Sequence, residues 1–180
     1  MTYPLDIIVE KAKEFAHEAH DSIGQKRKYS GLPYWVHTDE VAELVATVTD
    51  DQEMIAAAHL HDVVEDVDKA PYDLRTIMEL FGARVASLVF YLTNVYTRDI
   101  FPHLNRAERH KYEAERLAKE SPDVQTIKYA DIICNTRDIV KQDPKFAKIY
   151  LAEKRHLISL MTKGEATLRE KAYTNCLPVR

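Results

Sequence analysis

Apolar residues recur along most of the chain at the three- and four-residue spacing of helices that bury one face. The first such segment covers about residues 5–21, and a second begins near His37. No internal repeat and no clear period-two alternation interrupts this pattern. The composition of residues 85–91 would also suit a strand, but their length and setting favour a helix. The pattern predicts an all-α fold of about eight to nine helices.

The segment from residue 52 to about residue 65 is apolar on every side, which is typical of a helix in the middle of a domain. Residues 49–51 before it, Thr-Asp-Asp, offer N-cap side chains. The segment runs into His-Asp-Val-Val-Glu-Asp at positions 61–66, where four of six residues can ionise. Burying such groups is costly unless they have partners or a metal. This end of the helix is therefore the first candidate for chemistry.

Further helix starts are predicted at Ser121-Pro122 and at Asp143-Pro144, because proline suits the first helical position. The remaining predicted helices cover about residues 72–80, 82–93, 106–120, 122–140, 145–162 and 165–173. We predict a single domain over residues 1–180, with a motif-bearing core at about 5–140 and C-terminal helices at 143–176 that complete it.

Composition narrows the class of protein. The chain has 180 residues, a formal net charge of -4 and two cysteines. Non-specific nucleic-acid binding depends on excess positive charge, so we expect no nucleic-acid partner. Two distant cysteines form neither a disulfide framework nor a zinc finger. No stretch resembles a leader or is long enough to span a bilayer, so the prediction is a cytoplasmic protein without a membrane partner.

Residues four apart on a helix share a face, so His61 lies over Glu65 and Asp62 over Asp66. Two distant residues could join them: His37, and Asp131 on a later apolar helix, where Asn135 shares its face. A set of two histidines and two aspartates suits Mn(II), Fe(II) or Zn(II), with coordination positions left for catalysis. Nearby carboxylates would then act on a water.

A solvated acidic helix end is the competing interpretation of residues 61–66. The aspartate at 131 favours the metal site, because an isolated carboxylate among apolar residues needs a reason to be there. By contrast, His59 lies on another face and is interpreted as a core residue or a residue behind the metal ligands. His17 and His20 are interpreted as surface or packing residues.

Basic residues form the second candidate constellation. Lys26, Arg27 and Lys28 lie in the loop before His37, while others occur later in the chain, at Arg106, Arg109, Lys128 and Arg137. Cations gathered near a metal on an acidic protein would suit a small polyphosphorylated ligand, since arginine forks match phosphate oxygens. The alternative is an ordinary solvated helix face.

Four motifs together carry a family resemblance: Q-x-R-K at 25–28, P-Y-x-x-H at 33–37, H-D-x-x-E-D at 61–66 and K-x-A-D-x-x-x-N at 128–135. In this order and spacing they resemble the HD-domain alarmone hydrolases of the RelA/SpoT type, especially the stand-alone small enzymes. The resemblance covers about residues 8–140. It implies an all-helical fold around one ion, usually Mn(II), and removal of the 3′-pyrophosphate from guanosine tetra- or pentaphosphate.

The resemblance also implies roles for individual residues. It matches the metal ligands to His37, His61, Asp62 and Asp131, and the acidic pair acting on water to Glu65 and Asp66. It matches substrate-binding residues to Arg27, Lys28 and Asn135 and, by a looser alignment, to Arg106 and Arg109. The chain lacks the length for a synthetase domain, so the resemblance implies hydrolysis alone.

Three departures distinguish this chain from the pattern. Its basic loop, Arg-Lys-Tyr-Ser-Gly, is one residue longer than the loop common in the long bifunctional enzymes because of Tyr29. Thr38 stands where many members have proline, and Tyr129 stands where leucine is usual. The nucleobase stays open between guanine and adenine, as does the oligomeric state.

Two other functions compete with alarmone hydrolysis. One is an HD phosphohydrolase acting on another nucleotide, from which the basic loop before His37 distinguishes the alarmone enzymes. The other is a non-catalytic nucleotide sensor, for which Glu65 and Asp66 would be unnecessary. A purely structural helical module would leave Asp131 unexplained.

Overall fold

The computed structural model describes residues 2–67, 69–137 and 139–177. Within these residues, every secondary-structure element other than turns and one isolated β-bridge is a helix. Eight helices have nine residues or more, and two others are single turns, α4 and α8. The elements are α1 (Ile8–Ser22), α2 (Trp35–Ala46), α3 (Gln52–Leu60), α4 (Val63–Asp66), α5 (Leu74–Leu92), α6 (Arg106–Leu117), α7 (Pro122–Thr136), α8 (Ile139–Gln142), α9 (Pro144–Leu160) and α10 (Ala166–Asn175). The all-α prediction and its helix number are confirmed.

The chain forms two compact units, one ending at Thr93 and the other beginning at Asn94. In the first, α3 lies at the centre and packs against α1, α2 and α5. Every α3 residue from Met54 to Leu60 is buried, as its apolar sequence predicts. In the second unit, α7 is the most buried helix and packs against α10 and α9. That these units form one domain stays a prediction.

The start of α3 is fixed by its own N-cap side chain and by an arginine from another helix. Asp51 is the N-cap, and its Oδ1 accepts hydrogen bonds from the backbone N–H groups of Glu53 (3.1 Å) and Met54 (3.2 Å). The guanidinium of Arg84 on α5 donates to Asp51 at 2.9 and 2.6 Å and to Glu53 at 3.0 Å. Because α3 is anchored at its first turn, the position of His61 at its other end is also fixed.

The predicted continuous helix over residues 52–65 is wrong. The structure ends α3 at Leu60, passes through a turn at His61 and Asp62, and begins α4 at Val63. Both turn residues keep right-handed helical backbone angles, and the N–H of Asp66 still donates to the Asp62 carbonyl at 2.9 Å. The turn therefore redirects the ligand-bearing residues while Asp62 and Asp66 remain one helical turn apart.

Helix ends elsewhere differ more modestly from prediction. Ser121 caps α7 with proline at its first turn, as expected, but α7 ends at Thr136 and not near residue 140. The predicted helices at 72–80 and 82–93 are confirmed as two helical segments within α5, separated at Gly82, whose φ of +89° and ψ of 167° lie outside the helical region. No helix among the described residues has the length and apolarity needed to cross a bilayer.

Gly164 is packed so closely against α7 that any side chain would collide with it. A Cβ at this position would lie 2.6 Å from Tyr129 Cε2, 2.8 Å from the Thr126 nitrogen and 3.0 Å from the Gln125 carbonyl carbon. Two of these three atoms belong to the helix backbone and cannot rotate away. The segment between α9 and α10 therefore depends on a residue without a side chain.

We predict that Gly164→Ala lowers the free energy of unfolding by about 2–3 kcal/mol, the upper part of the usual cost of forcing extra atoms into a packed site, because two of the three colliding atoms are backbone. Urea denaturation followed by circular dichroism measures this. Gly24→Ala is the control: its Cβ would meet nothing within 4 Å, although φ is +61°, so only a backbone cost of about 1 kcal/mol remains. Equal losses in the two variants would contradict the predicted collision.

Candidate metal centre and its surroundings

Three of the four predicted metal ligands come together in the first unit. His37 lies on α2, and His61 and Asp62 form the turn between α3 and α4. Each offers one ligand atom, and these atoms lie within 4.8 Å of one another. Asp62 Oδ2 lies 3.1 Å from His61 Nε2 and 3.6 Å from His37 Nε2. Both histidines are buried and Asp62 is half-buried, so the cluster faces inward.

Neighbouring groups orient these ligand atoms. His61 Nδ1 lies 2.8 Å from the Ala58 carbonyl oxygen, which only accepts hydrogen bonds, so the proton sits on Nδ1. Nε2 therefore presents its lone pair toward Asp62, the usual arrangement for a histidine that binds a metal. The Tyr34 hydroxyl donates to Asp62 Oδ2 at 2.6 Å, and its ring packs edge-on against His37. Two imidazole nitrogens and a carboxylate, held in this way, fit a divalent cation.

Glu65 and Asp66 lie together on α4 beside the cluster. Asp66 Oδ2 accepts a hydrogen bond from Gln25 Nε2 at 2.8 Å. Burial of the carboxyl, followed by repulsion from Asp62, raises the pKa of Asp66 to about 6 although its outer part reaches the surface. A carboxylate with that pKa can accept a proton near neutral pH more readily than an ordinary aspartate.

The fourth predicted ligand, Asp131, belongs to the second unit. It is buried on α7, where Lys128 Nζ lies 2.8 Å from Oδ2 and Asn135 Nδ2 donates to Oδ1 at 2.5 Å. The predicted shared face of Asp131 and Asn135 is confirmed. The ion pair with Lys128 also gives this carboxylate a reason to be buried that does not require a metal. Its place in the ligand set stays a prediction.

The basic loop between α1 and α2 is ordered by its own backbone. An isolated antiparallel bridge pairs Lys26 with Pro33, and the Arg27 N–H donates to the Leu32 carbonyl at 2.8 Å. Gly31, at a φ of +70°, closes the turn. Arg27 is half-buried, whereas the Lys28 ammonium lies 4.9 Å from the Tyr29 ring centre in a cation–π contact. This loop ends where α2 begins, two residues before His37.

The other two predicted substrate-binding arginines lie at the start of α6. Arg106 makes a two-pronged ion pair with Glu153, with both N–O distances 2.8 Å, and its guanidinium lies over the Phe146 ring. Arg109 donates to the Leu104 carbonyl. Both arginines therefore serve the second unit's own structure, and a role in ligand binding stays a prediction.

A histidine–aspartate–histidine network, missed by the sequence analysis, lies beside the metal cluster. Both carboxylate oxygens of Asp39 on α2 lie 3.0 Å from His17 Nε2, and Oδ1 lies 3.2 Å from His59 Nδ1. Burial opposes ionisation of Asp39, but the hydrogen bonds from His59 and His17 outweigh it and lower its pKa to about 2. The network ties α1, α2 and α3 together, and Asp39 and His59 lie two residues from His37 and His61 along the chain.

Gln25, Tyr34 and His20 were also missed as functional residues. Tyr34 and Gln25 lie inside the P-Y-x-x-H and Q-x-R-K motifs, which was the available signal. His20, interpreted as a surface or packing residue, is fully buried. Its Nδ1 lies 2.7 Å from Gln25 Oε1, so it stands behind the residue that contacts Asp66.

The fold and this cluster define a class, the helical proteins that hold a divalent cation with paired histidine and aspartate ligands. Comparison with known families assigns residues 12–158 to the HD domain. The chain belongs to the HD domain family.

Named relatives lie within this family. A guanosine-3′,5′-bis(diphosphate) 3′-pyrophosphohydrolase of Aquifex aeolicus is 34% identical over 142 residues, covering 78% of this chain and 19% of the relative. An enzyme of the same name from Mus musculus is 35% identical over 138 residues, covering 74% of this chain and 70% of the relative. This chain thus spans about a fifth of the Aquifex protein but two thirds or more of the mouse protein.

A solved structure matches nearly the whole chain. It is described as a metazoan ortholog of SpoT that hydrolyses ppGpp, and it superimposes with a TM-score of 0.79 at 28% identity. The match covers 97% of this chain and 96% of that one. The family resemblance drawn from the four motifs is confirmed.

We predict that Asp39→Asn destabilises the metal-free protein at neutral pH by on the order of 2 kcal/mol, because a carboxyl whose pKa falls from 3.8 to about 2 on folding favours the folded state when ionised. This contribution is complete above about pH 5, falls to roughly half near pH 3 and is lost as the pH falls below 2. Urea titrations in chelator at pH 7 and pH 3 measure it.

The matched control is Asp50→Asn, an exposed aspartate in the loop before α3. It should cost less than about 0.5 kcal/mol at either pH, as is usual for surface substitutions. A deficit in Asp39→Asn that is equally large at both pH values would show that the ionised carboxylate is not the source.

Proposed function

We propose that this protein is a metal-dependent phosphohydrolase that removes the 3′-pyrophosphate from a guanosine tetra- or pentaphosphate, with Mn(II) as its ion. The observation that carries the proposal is the inward-facing cluster of His37, His61 and Asp62 with Asp66 beside it. The names of the relatives support the substrate class. Adenosine alarmones are compatible with the same chemistry. A cytoplasmic location and assembly into homo-oligomers stay predictions.

The proposed ligands are His37, His61, Asp62 and Asp131. When bound, a divalent ion at such a site polarises a phosphoryl oxygen and lowers the pKa of a water it holds. The protein's own contribution is to fix the donors in advance. The Ala58 carbonyl sets the tautomer of His61, and Tyr34 orients the Asp62 carboxylate.

Asp66 and Glu65 are proposed to act on the attacking water. Asp66 accepts a proton from the water as its oxygen bonds to the phosphorus attached to the 3′ oxygen. The bond between that phosphorus and the 3′ oxygen breaks, the 3′ oxygen takes up a proton, and pyrophosphate leaves. Glu65, exposed on the same helical turn, can relay the proton to solvent.

The basic residues are proposed to bind the nucleotide. Arg27 is half-buried in the ordered loop, so its flat guanidinium can lie against a purine ring at little entropic cost. Lys28 would neutralise a nearby phosphate, and Asn135 would contact the nucleotide from α7. Arg106 and Arg109 would serve the distal phosphates, for which Arg106 must share or exchange its pairing with Glu153.

We expect Mn(II)-dependent release of pyrophosphate from guanosine tetraphosphate, abolished by chelation and restored by added Mn(II). The measurement is product identification by chromatography, with the adenosine analogue and ordinary nucleoside mono- and triphosphates as a panel. Turnover of ordinary nucleotides alone would keep the metal site but refute the alarmone substrate. Tight nucleotide binding without turnover in any metal would instead indicate a sensor.

Neutralising the acidic pair with Glu65→Gln and Asp66→Asn together should lower kcat by about 10²–10⁴-fold, the usual contribution of a proton-transfer group. Mn(II) affinity, measured by calorimetry, should change little because the ligands are intact. Glu43→Gln, which removes one carboxylate at an exposed site on α2, is the control and should retain activity. Near wild-type kcat in the double variant would refute the role assigned to this pair.

Arg27→Ala should raise KM for the alarmone with a smaller effect on kcat, since a residue that grips the base contributes similarly to the ground and transition states. An increase of about tenfold corresponds to one hydrogen bond or stacking contact. The control is Arg75→Ala, which removes an exposed arginine paired with Glu79 on the surface of α5. An unchanged KM would count against the contact.

A further inference from the structure

A glutamine bridges a buried histidine and the carboxylate beside the metal cluster. Gln25 Nε2 lies 2.8 Å from Asp66 Oδ2, and Gln25 Oε1 lies 2.7 Å from His20 Nδ1. The three side chains come from α1, the following loop and α4. None of the three is a proposed metal ligand, so this chain of contacts is separate from the ligand set.

The hydrogen bonds fix the direction of every donor in this chain. An ionised carboxylate only accepts hydrogen bonds, so the amide NH₂ group of Gln25 must face Asp66. Its carbonyl oxygen then faces His20, which must donate from Nδ1. Burial lowers the pKa of His20 and so favours the neutral ring, and the contact with Gln25 Oε1 then places its single proton on Nδ1. A flipped amide would set its carbonyl oxygen against the carboxylate, so Asp66 fixes the amide orientation and His20 Nδ1–H completes it.

The backbone of Gln25 is also held, by hydrogen bonds at both of its peptide groups. Its N–H donates to the His20 carbonyl at 3.1 Å, and its carbonyl accepts from the Tyr34 N–H at 3.1 Å. Gly24, at a φ of +61°, makes the turn that leads out of α1. The His20 ring also packs on Tyr34, with 4.8 Å between ring centres. Gln25 is thus fixed at both ends before any substrate arrives.

We infer that Gln25, oriented by His20, is a positioning residue that holds Asp66 Oδ2 so that Oδ1 is directed to the attacking water. This inference rests on the proposed role of Asp66 in hydrolysis. A neutral amide suits the task better than a cation, because a lysine or arginine at this place would stabilise the carboxylate more strongly and make it a weaker base. The glutamine orients the carboxylate and leaves it able to accept a proton.

Kinetics in two backgrounds test the inference. Gln25→Ala should lower kcat by about 10- to 100-fold, as removal of an outer hydrogen-bond partner commonly does, with KM and Mn(II) affinity changed less than about twofold. In an Asp66→Asn background the same substitution should have no further effect, because residues that act as a unit are not additive. His20→Ala should reproduce the Gln25→Ala pattern in weaker form.

Single-turnover conditions with excess enzyme make the slow variants measurable. Gln52→Ala is the control, since this glutamine is exposed at the start of α3 and its amide donates to the Asp50 carbonyl. It should leave kcat unchanged. An equal loss from Gln25→Ala in both backgrounds, or a loss confined to KM, would overturn the inference.

A second readout does not depend on any substrate. In nitrogen–proton correlation spectra, the Gln25 side-chain amide should show one proton shifted downfield by its bond to the carboxylate. The shift should be lost in Asp66→Asn and reduced in His20→Ala. If wild-type protein shows this signature but no alarmone turnover, the proposed substrate fails and the hydrogen-bonded chain stands. A Gln25 amide that is insensitive to Asp66→Asn overturns the inference whatever the substrate.

Discussion

The burial of the C-terminal end of α3 is the constraint on which the rest of the first unit depends. Seven consecutive residues of this helix are buried, so the next two, His61 and Asp62, enter the interior as well. Polar groups brought into that setting must find partners. The Ala58 carbonyl and the Tyr34 hydroxyl are two of those partners, and the ligand atoms of His37, His61 and Asp62 lie close enough together that they could hold a cation. The buried helix α3 thereby positions two candidate metal ligands at its C-terminal end.

Two aspartates in the same unit have pKa values shifted in opposite directions by their surroundings. Asp39 lies within 3.2 Å of ring nitrogens of His17 and His59, and its pKa falls to about 2, so it stays a fixed negative charge. Asp66 faces the charge of Asp62 and has a neutral amide as its hydrogen-bond partner, and its pKa rises to about 6. The first carboxylate suits a structural role, and the second suits proton transfer.

Periodicity and motif spacing were sufficient to predict most of the helices, an N-cap within residues 49–51, the Pro122 start of α7 and the shared face of Asp131 and Asn135. These features depend on neighbours within one helical turn, where spacing alone fixes geometry. The turn at His61 and Asp62 was missed because both residues are compatible with a helix, and tertiary packing decides the matter. The pairing of Asp39 with His17 and His59 was missed because it joins three helices, and no local pattern encodes such a meeting.

Asp131 is a buried carboxylate with two explanations, a metal and an ion pair on its own helix. An aspartate in an apolar stretch needs a partner, and the sequence offered a metal as the explanation. Lys128, three residues earlier on the same helix, supplies an ion pair at 2.8 Å and satisfies that need locally. The two explanations are compatible, because a carboxylate oriented by Lys128 and Asn135 loses less freedom when it takes up a ligand. The burial of Asp131 is therefore explained by the ion pair, with or without a metal. Its substitution must be judged by metal affinity and not by stability, which the loss of the ion pair would also lower.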